Sequence, residues 1–114
     1  MITLWHNPRC SKSRQTLALI EAAGAEVTPR LYLQDAPSLA EIEQMRRALG
    51  NIPAIKMMRP GEKLFKELEL RKDMGDDALV AAMAAHPILI ERPIACKNGQ
   101  AVIGRPPEAV EVML

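Results

Sequence analysis

Within its first two dozen residues the chain changes its hydrophobic period once, and the change falls at an Asn-Pro pair. Ile2 to Trp5 form a short apolar run of strand-favouring types, and Asn7-Pro8 is a turn signal. From Ser11 onward, Leu17, Leu19, Ile20 and Ala23 fall at helical spacing, and Gly24 suits the C′ position that ends a helix. A second strand reads at 26–33, E-V-T-P-R-L-Y-L. A β-α-β opening implies a parallel crossover, which needs other elements to cover it. Pro29 has no N–H for a ladder, so this second strand belongs at a sheet edge or carries a bulge.

The rest of the chain narrows the architecture. Ser38-Leu-Ala-Glu41 is a capping box, and the helix it opens runs to about Leu49 before Gly50. Residues 51–85 read as broken helix, interrupted by Arg59-Pro60-Gly61 and restarted at Asp76-Asp77. A strand opened by proline follows at 91–96, then Asn98-Gly99, the strongest short hairpin signal, then a returning strand at 101–104. A closing helix begins at Pro106-Pro107, where a missing N–H costs nothing. The order β-α-β, helical block, β-β-α predicts an α/β fold of three layers around a mixed four-stranded sheet. Strand, turn, cysteine and helix at the start, with Arg92-Pro93-Ile94 opening a later strand, match the thioredoxin-like layout. All 114 residues are read as one such domain, with a helical insertion at about 38–85.

Composition excludes several classes. A net charge of +1 argues against a nucleic-acid module built on phosphate neutralisation. No stretch approaches the roughly 18 apolar residues of a membrane span, and Met1-Ile-Thr-Leu-Trp5 lacks a basic leader region. A cytoplasmic protein is expected. Its two cysteines, Cys10 and Cys96, are far apart in sequence, and a structural disulfide is not expected in a reducing compartment. Cys96 reads as a small core side chain.

Cys10 is different. It falls at a helix N-terminus, among His6, Arg9, Lys12 and Arg14. An ordinary thiol has a pKa of about 8.5 and is a poor nucleophile below it. Unpaired helix N–H groups and local positive charge both favour the thiolate, and the same N–H groups can hold an oxyanion. The position three residues on, where a dithiol motif has its second cysteine, holds Ser13. An oxidised or adducted Cys10 must then be resolved by an outside thiol, and Ser13 is placed to donate a hydrogen bond to the thiolate. Arg59, Arg92 and Arg105 each precede a proline at an element end, and an arginine fork suits tetrahedral oxyanions.

The runs H-N-P-R-C-S-K-S-R (6–14), K-M-M-R (56–59), H-P-I-L-I-E-R-P-I (86–94) and I-G-R-P-P-E (103–108) together resemble the glutaredoxin-linked arsenate reductases, over essentially the whole chain. The resemblance implies that Cys10 is the nucleophile, held as thiolate with the help of His6 and Ser13. It implies that Arg59, Arg92 and Arg105 bind the substrate oxygens, and that Arg92–Pro93 is the cis bond of the fold. The implied substrate is arsenate or a similar oxyanion. Glutathione is the implied co-substrate and glutaredoxin the implied partner, with no metal, no tightly bound cofactor, no nucleic acid and no membrane. The chain departs from the best-studied branch in reading C-S-K-S where that branch has C-G-T-S, and in carrying Arg9 before the cysteine. A glutathione-dependent thiol oxidoreductase that does not use arsenate, or a non-catalytic regulatory module of the same fold, remain open alternatives.

Overall fold

The computed structural model describes residues 1–114. In chain order its elements are β1 (Ile2–Trp5), α1 (Ser11–Ala22), β2 (Val27–Arg30), α2 (Leu39–Ala48), α3 (Lys63–Glu67), α4 (Asp76–Ala85), β3 (Ile94–Lys97) and β4 (Gln100–Ile103). Single 3₁₀ segments lie at Ala54–Met57, Pro87–Leu89 and Pro107–Met113. Contacts divide the chain into two compact units, Met1–Asp35 with Arg92–Leu114, and Ala36–Glu91.

The first unit contains the mixed four-stranded sheet expected from the sequence, in the order β2-β1-β3-β4. β2 runs parallel to β1, and β3 is antiparallel to both β1 and β4. β2 lies at the edge, as Pro29 requires. It is shorter than the 26–33 run: after Arg30 the chain leaves the ladder in a turn closed by Asp35 N–H to Leu31 O at 2.8 Å. That turn buries Tyr32 completely and leaves Leu31 and Leu33 exposed. Side chains alternate across a strand, so Ile2 and Leu4 share one face with Ala95, which opposes Leu4, and Val102, which opposes Ala95. Ile20 of α1 and Val110 of the C-terminal segment complete this core, and Ile2, Leu4, Ile20, Ala95 and Val110 are all essentially inaccessible. Each large aliphatic buried there contributes about 1.5–3 kcal/mol.

The hairpin follows its sequence signal. Asn98 and Gly99 both have positive φ, 52° and 76°, the geometry of a type I′ turn. The expected C-terminal helix is a 3₁₀ segment. Its bonds run three residues back, Ala109 N–H to Pro106 O and Leu114 N–H to Glu111 O. Two starting prolines and the β-branched Val110 and Val112 disfavour a regular α-turn here.

The second unit is helical, and it extends to Glu91, past the predicted end at about 85. Its capping box is formed in full: Ser38 Oγ accepts from Glu41 N–H at 3.1 Å, and Glu41 Oε1 accepts from Ser38 N–H at 2.9 Å. Its core is rich in methionine, with Met45, Met57, Met58 and Met83 buried beside Ile42, Phe65, Leu79 and Leu89. Asp76 starts α4 and also accepts from Ala54 N–H at 2.9 Å, fixing the 3₁₀ segment against the helix. The six residues beyond 85 are held by an antiparallel bridge between Met58 and Ile90.

One glycine of the first unit is dictated by space. A Cβ on Gly104 would lie 2.7 Å from Thr16 Oγ1 and 2.9 Å from Pro93 Cγ. Both neighbours are buried, so neither can swing away without moving α1 or β3. Gly104→Ala should therefore cost about 1–3 kcal/mol by overpacking. A chemical-denaturation midpoint equal to that of the unsubstituted protein would refute this steric account.

Candidate active site around Cys10

β1 ends at Trp5, and the chain must turn before α1 can start. Asn7 organises that turn. Its carbonyl oxygen accepts from Cys10 N–H at 3.0 Å and its Oδ1 accepts from Arg9 N–H at 3.0 Å. An asparagine side chain bonding the backbone two residues on is a turn in itself. Arg14 Nη1 donates to Pro8 O at 2.9 Å and straps the outside of the loop. Cys10 is thereby the N-cap residue of α1, with extended backbone (φ −95°, ψ 123°), and its carbonyl accepts the first helical bond from Arg14 N–H.

Ser13 is completely buried and His6 nearly so. Ser13 Oγ lies 2.6 Å from His6 Nδ1 and accepts from Asn7 N–H at 3.0 Å. Burial depresses the His6 pKa, the positive charge of Arg14 depresses it further, and Glu21 opposes both. The ring is therefore neutral near pH 7. Which of Ser13 Oγ and His6 Nδ1 donates follows the tautomer of the ring. This corrects an expectation: the Ser13 hydroxyl is spent on His6 and Asn7, and it is the backbone of Ser13 that acts on the sulfur.

Burial alone would raise the Cys10 pKa, yet the thiol is held below its ordinary value. The Ser13 N–H outweighs the burial penalty together with the Arg92 guanidinium, the Lys12 N–H and the positive charge of Arg105. The sulfur makes no strict capping hydrogen bond; the N–H groups act on it as the positive end of the helix. Arg105 Nη2 approaches Sγ to 3.5 Å, while its Nε donates to the Arg92 carbonyl at 2.8 Å. The side chains of Arg9, Lys12 and Arg14, which make the sequence so basic here, are exposed. The charge that matters comes from the helix backbone and from two arginines some 80 and 95 residues away in sequence.

Of the predicted site residues, the structure thus brings Arg92 and Arg105 to Cys10. Pro93 follows a cis peptide bond, as the resemblance implies, and a second cis bond joins Arg105 to Pro106. Arg59 belongs to the second unit, where its Nε donates to Glu62 Oε1 at 3.0 Å and its Nη1 to Glu91 Oε1 at 2.9 Å. Sequence reasoning did not single out Asn7 as a site residue, although Asn-Pro is a turn signal with this mechanism. Nor did it find Thr16, whose Oγ1 donates to Lys12 O at 2.8 Å and reaches Gly104 O at 3.4 Å, tying α1 to the segment after β4 that carries Arg105. Cys96 is half-buried on β3 opposite Thr3 and Ala101, and burial pushes its thiol pKa up. Both cysteines are free.

A thiol at a helix start with two guanidinium groups beside it, on a strand-helix-strand frame closed by a cis-proline strand, also matches a family by sequence: the ArsC family profile covers residues 5–113. The chain belongs to the ArsC family. It is 45% identical over 114 residues to an arsenate reductase of Neisseria meningitidis, spanning 99% of this chain and 97% of that one. It is 43% identical to an arsenate reductase of Haemophilus influenzae, over 96% of this chain and 95% of the other. Among solved structures, an arsenate reductase from Vibrio cholerae superposes with a TM-score of 0.94 at 50% identity, covering 99% of this chain and 97% of that one. No helix of the chain is long and apolar enough to cross a membrane.

The source of the charge can be measured. A thiol with a depressed pKa is protonated only below that value, so Cys10 alkylation should rise with pH and level off earlier than for a free thiol at about 8.5. Arg92→Leu removes a group that favours the thiolate and should move the midpoint up. Arg9→Ala should leave it nearly in place. If Arg9→Ala shifts the midpoint as far as Arg92→Leu does, the exposed loop charges set the pKa and the account above is wrong.

Proposed function

We propose that the protein is an arsenate reductase: Cys10 attacks arsenate, and glutathione and glutaredoxin supply the electrons. The observation that carries this reading is the 3.5 Å approach of Arg105 Nη2 to the Cys10 sulfur, with Arg92 acting on the same atom. A thiolate needs one positive partner. Two guanidinium groups and a helix N-terminus provide room for a second anion beside it. The naming of close relatives as arsenate reductases supports arsenate as that anion.

In the proposed sequence the Cys10 thiolate forms an S–As(V) bond and one arsenate oxygen leaves as water, after taking up two protons. Arg92 and Arg105 balance the oxyanion charge as that bond forms, as preorganised donors do in other oxyanion sites. Glutathione then displaces a second oxygen as water, giving an arsenic bonded to two sulfurs. A glutaredoxin thiolate attacks the glutathione sulfur. The S–As electron pair stays on arsenic, which becomes As(III), and the mixed disulfide leaves on glutaredoxin. Water releases arsenite and restores Cys10. Ser13 at the position of a second cysteine supports this external route, since Cys10 has no neighbouring thiol with which to form a disulfide. Glutathione and glutaredoxin place the reaction in a reducing compartment, in keeping with a cytoplasmic protein.

The coupled assay follows NADPH consumption with arsenate, glutathione, glutaredoxin and glutathione reductase. Arsenate-dependent turnover is expected, and Cys10→Ser should abolish it. Arg105→Leu should lower kcat/KM about 10²–10³-fold, the usual cost of losing one oxyanion donor. No arsenate-dependent signal, with activity instead on a glutathionylated peptide, would assign the protein to thiol-disulfide chemistry.

A further inference from the structure

Arg59, the third arginine that the resemblance assigns to the oxyanion, is already held by two carboxylates. Glu62 takes its Nε–H and Glu91 takes an Nη1–H, at 3.0 and 2.9 Å. All three side chains are about three-quarters buried, with 21–24% exposure, so solvent screens these pairs less than surface ion pairs. A tetrahedral oxyanion binds an arginine best through two parallel N–H groups on one edge of the fork. Here the carboxylates hold both ends of the fork, and neither bond uses Nη2.

The two carboxylates are placed differently. Glu62 lies three residues along the same turn, its N–H bonded to Arg59 O at 3.0 Å. Glu91 is brought in from across the chain by backbone pairing: Met58 bridges Ile90, Arg59 N–H donates to Leu89 O at 2.8 Å, and Glu91 N–H donates to Met57 O at 2.8 Å. This pairing sets Glu91 opposite Met57 and diagonal to Arg59 on the same face, whatever its side chain carries. The ladder therefore presents a carboxylate to Arg59 as a fixed feature of the fold.

We propose that Glu91 is an internal competitor for the oxyanion at Arg59: its carboxylate occupies the guanidinium until substrate displaces it, and it thereby sets the affinity with which the substrate anion binds. The inference rests on the reading of Arg59 as an oxyanion ligand. It makes Glu91 a specificity-determining residue that acts through Arg59, with no part in the bond-making steps. A weakly charged anion cannot displace it, and a doubly charged one with several oxygens can.

The test is isothermal titration of inorganic arsenate into the full chain without reductant, at fixed ionic strength. Glu91→Gln keeps the size and the backbone ladder and removes the charge. It should tighten arsenate binding about three- to ten-fold, the scale of one partly screened charge pair. Glu91→Asp, which draws the carboxylate back by one methylene, should tighten it by less. The gain should vanish in Arg59→Leu/Glu91→Gln. Binding that is no tighter in either Glu91 variant, or a gain that survives loss of Arg59, overturns the proposal. The coupled assay separates the two ideas: turnover by the unsubstituted protein with unchanged affinity in Glu91→Gln sinks the competitor alone, whereas no turnover sinks the assigned reaction while the titration still reads competition at Arg59.

Discussion

The setting of the Cys10 sulfur depends on a hydroxyl that acts elsewhere. Ser13 Oγ, fully buried, joins His6 at the end of the first strand's run to Asn7 in the turn and to the first helical turn on which it sits. That node fixes the angle at which the chain enters α1. Cys10 is the N-cap only because this turn is rigid, and only an N-cap residue faces the N–H groups of the second and third helical positions. A buried polar node of this kind is costly when half-satisfied and specifying when complete. Here the imidazole, the hydroxyl and the Asn7 backbone N–H satisfy one another.

Much of the frame was legible in the sequence. Asn98-Gly99, Ser38…Glu41, Pro29 and Gly24 each gave a local reason for a turn, a cap, an edge or a helix end, and each reason operates in the structure. These signals work because they act over three or four residues, where the chain's own geometry decides. The boundaries that moved lie where tertiary contacts decide. Residues 31–33 alternate like a strand, but the alternation serves to bury Tyr32 in a turn. The C-terminal segment has helical spacing, but its prolines and valines leave it a tighter coil.

The site was legible in its residues and misleading in its electrostatics. Four basic side chains near Cys10 in sequence suggested that they stabilise the thiolate. Exposed cations that do not approach the sulfur are screened by water and contribute little. Backbone N–H groups at the helix start are fixed in place, and together with Arg92 and Arg105 they outweigh the penalty of burying the sulfur. Sequence proximity is thus a poor guide to which charge a buried atom feels. Approach in the fold decides: Arg105 is exposed too, but its Nη2 comes within 3.5 Å of the sulfur, and that approach is set by packing that no local pattern reveals.

The convergence of Arg92 and Arg105, by contrast, was implicit in a single dipeptide. A two-residue turn at Asn98-Gly99 places Lys97 opposite Gln100 and Ile94 opposite Ile103. Counting two steps further down the same ladder sets Pro93 opposite Gly104 and Arg92 opposite Arg105. The structure carries the pairing one step on, with Gly104 N–H donating to Pro93 O at 2.9 Å; the Arg105 backbone then turns back to Ile103 O, and it is the Arg105 side chain that reaches across, Nε donating to Arg92 O at 2.8 Å. The turn thus carries two guanidinium groups, 82 and 95 residues from Cys10 in sequence, to one sulfur, where both favour the thiolate over the thiol.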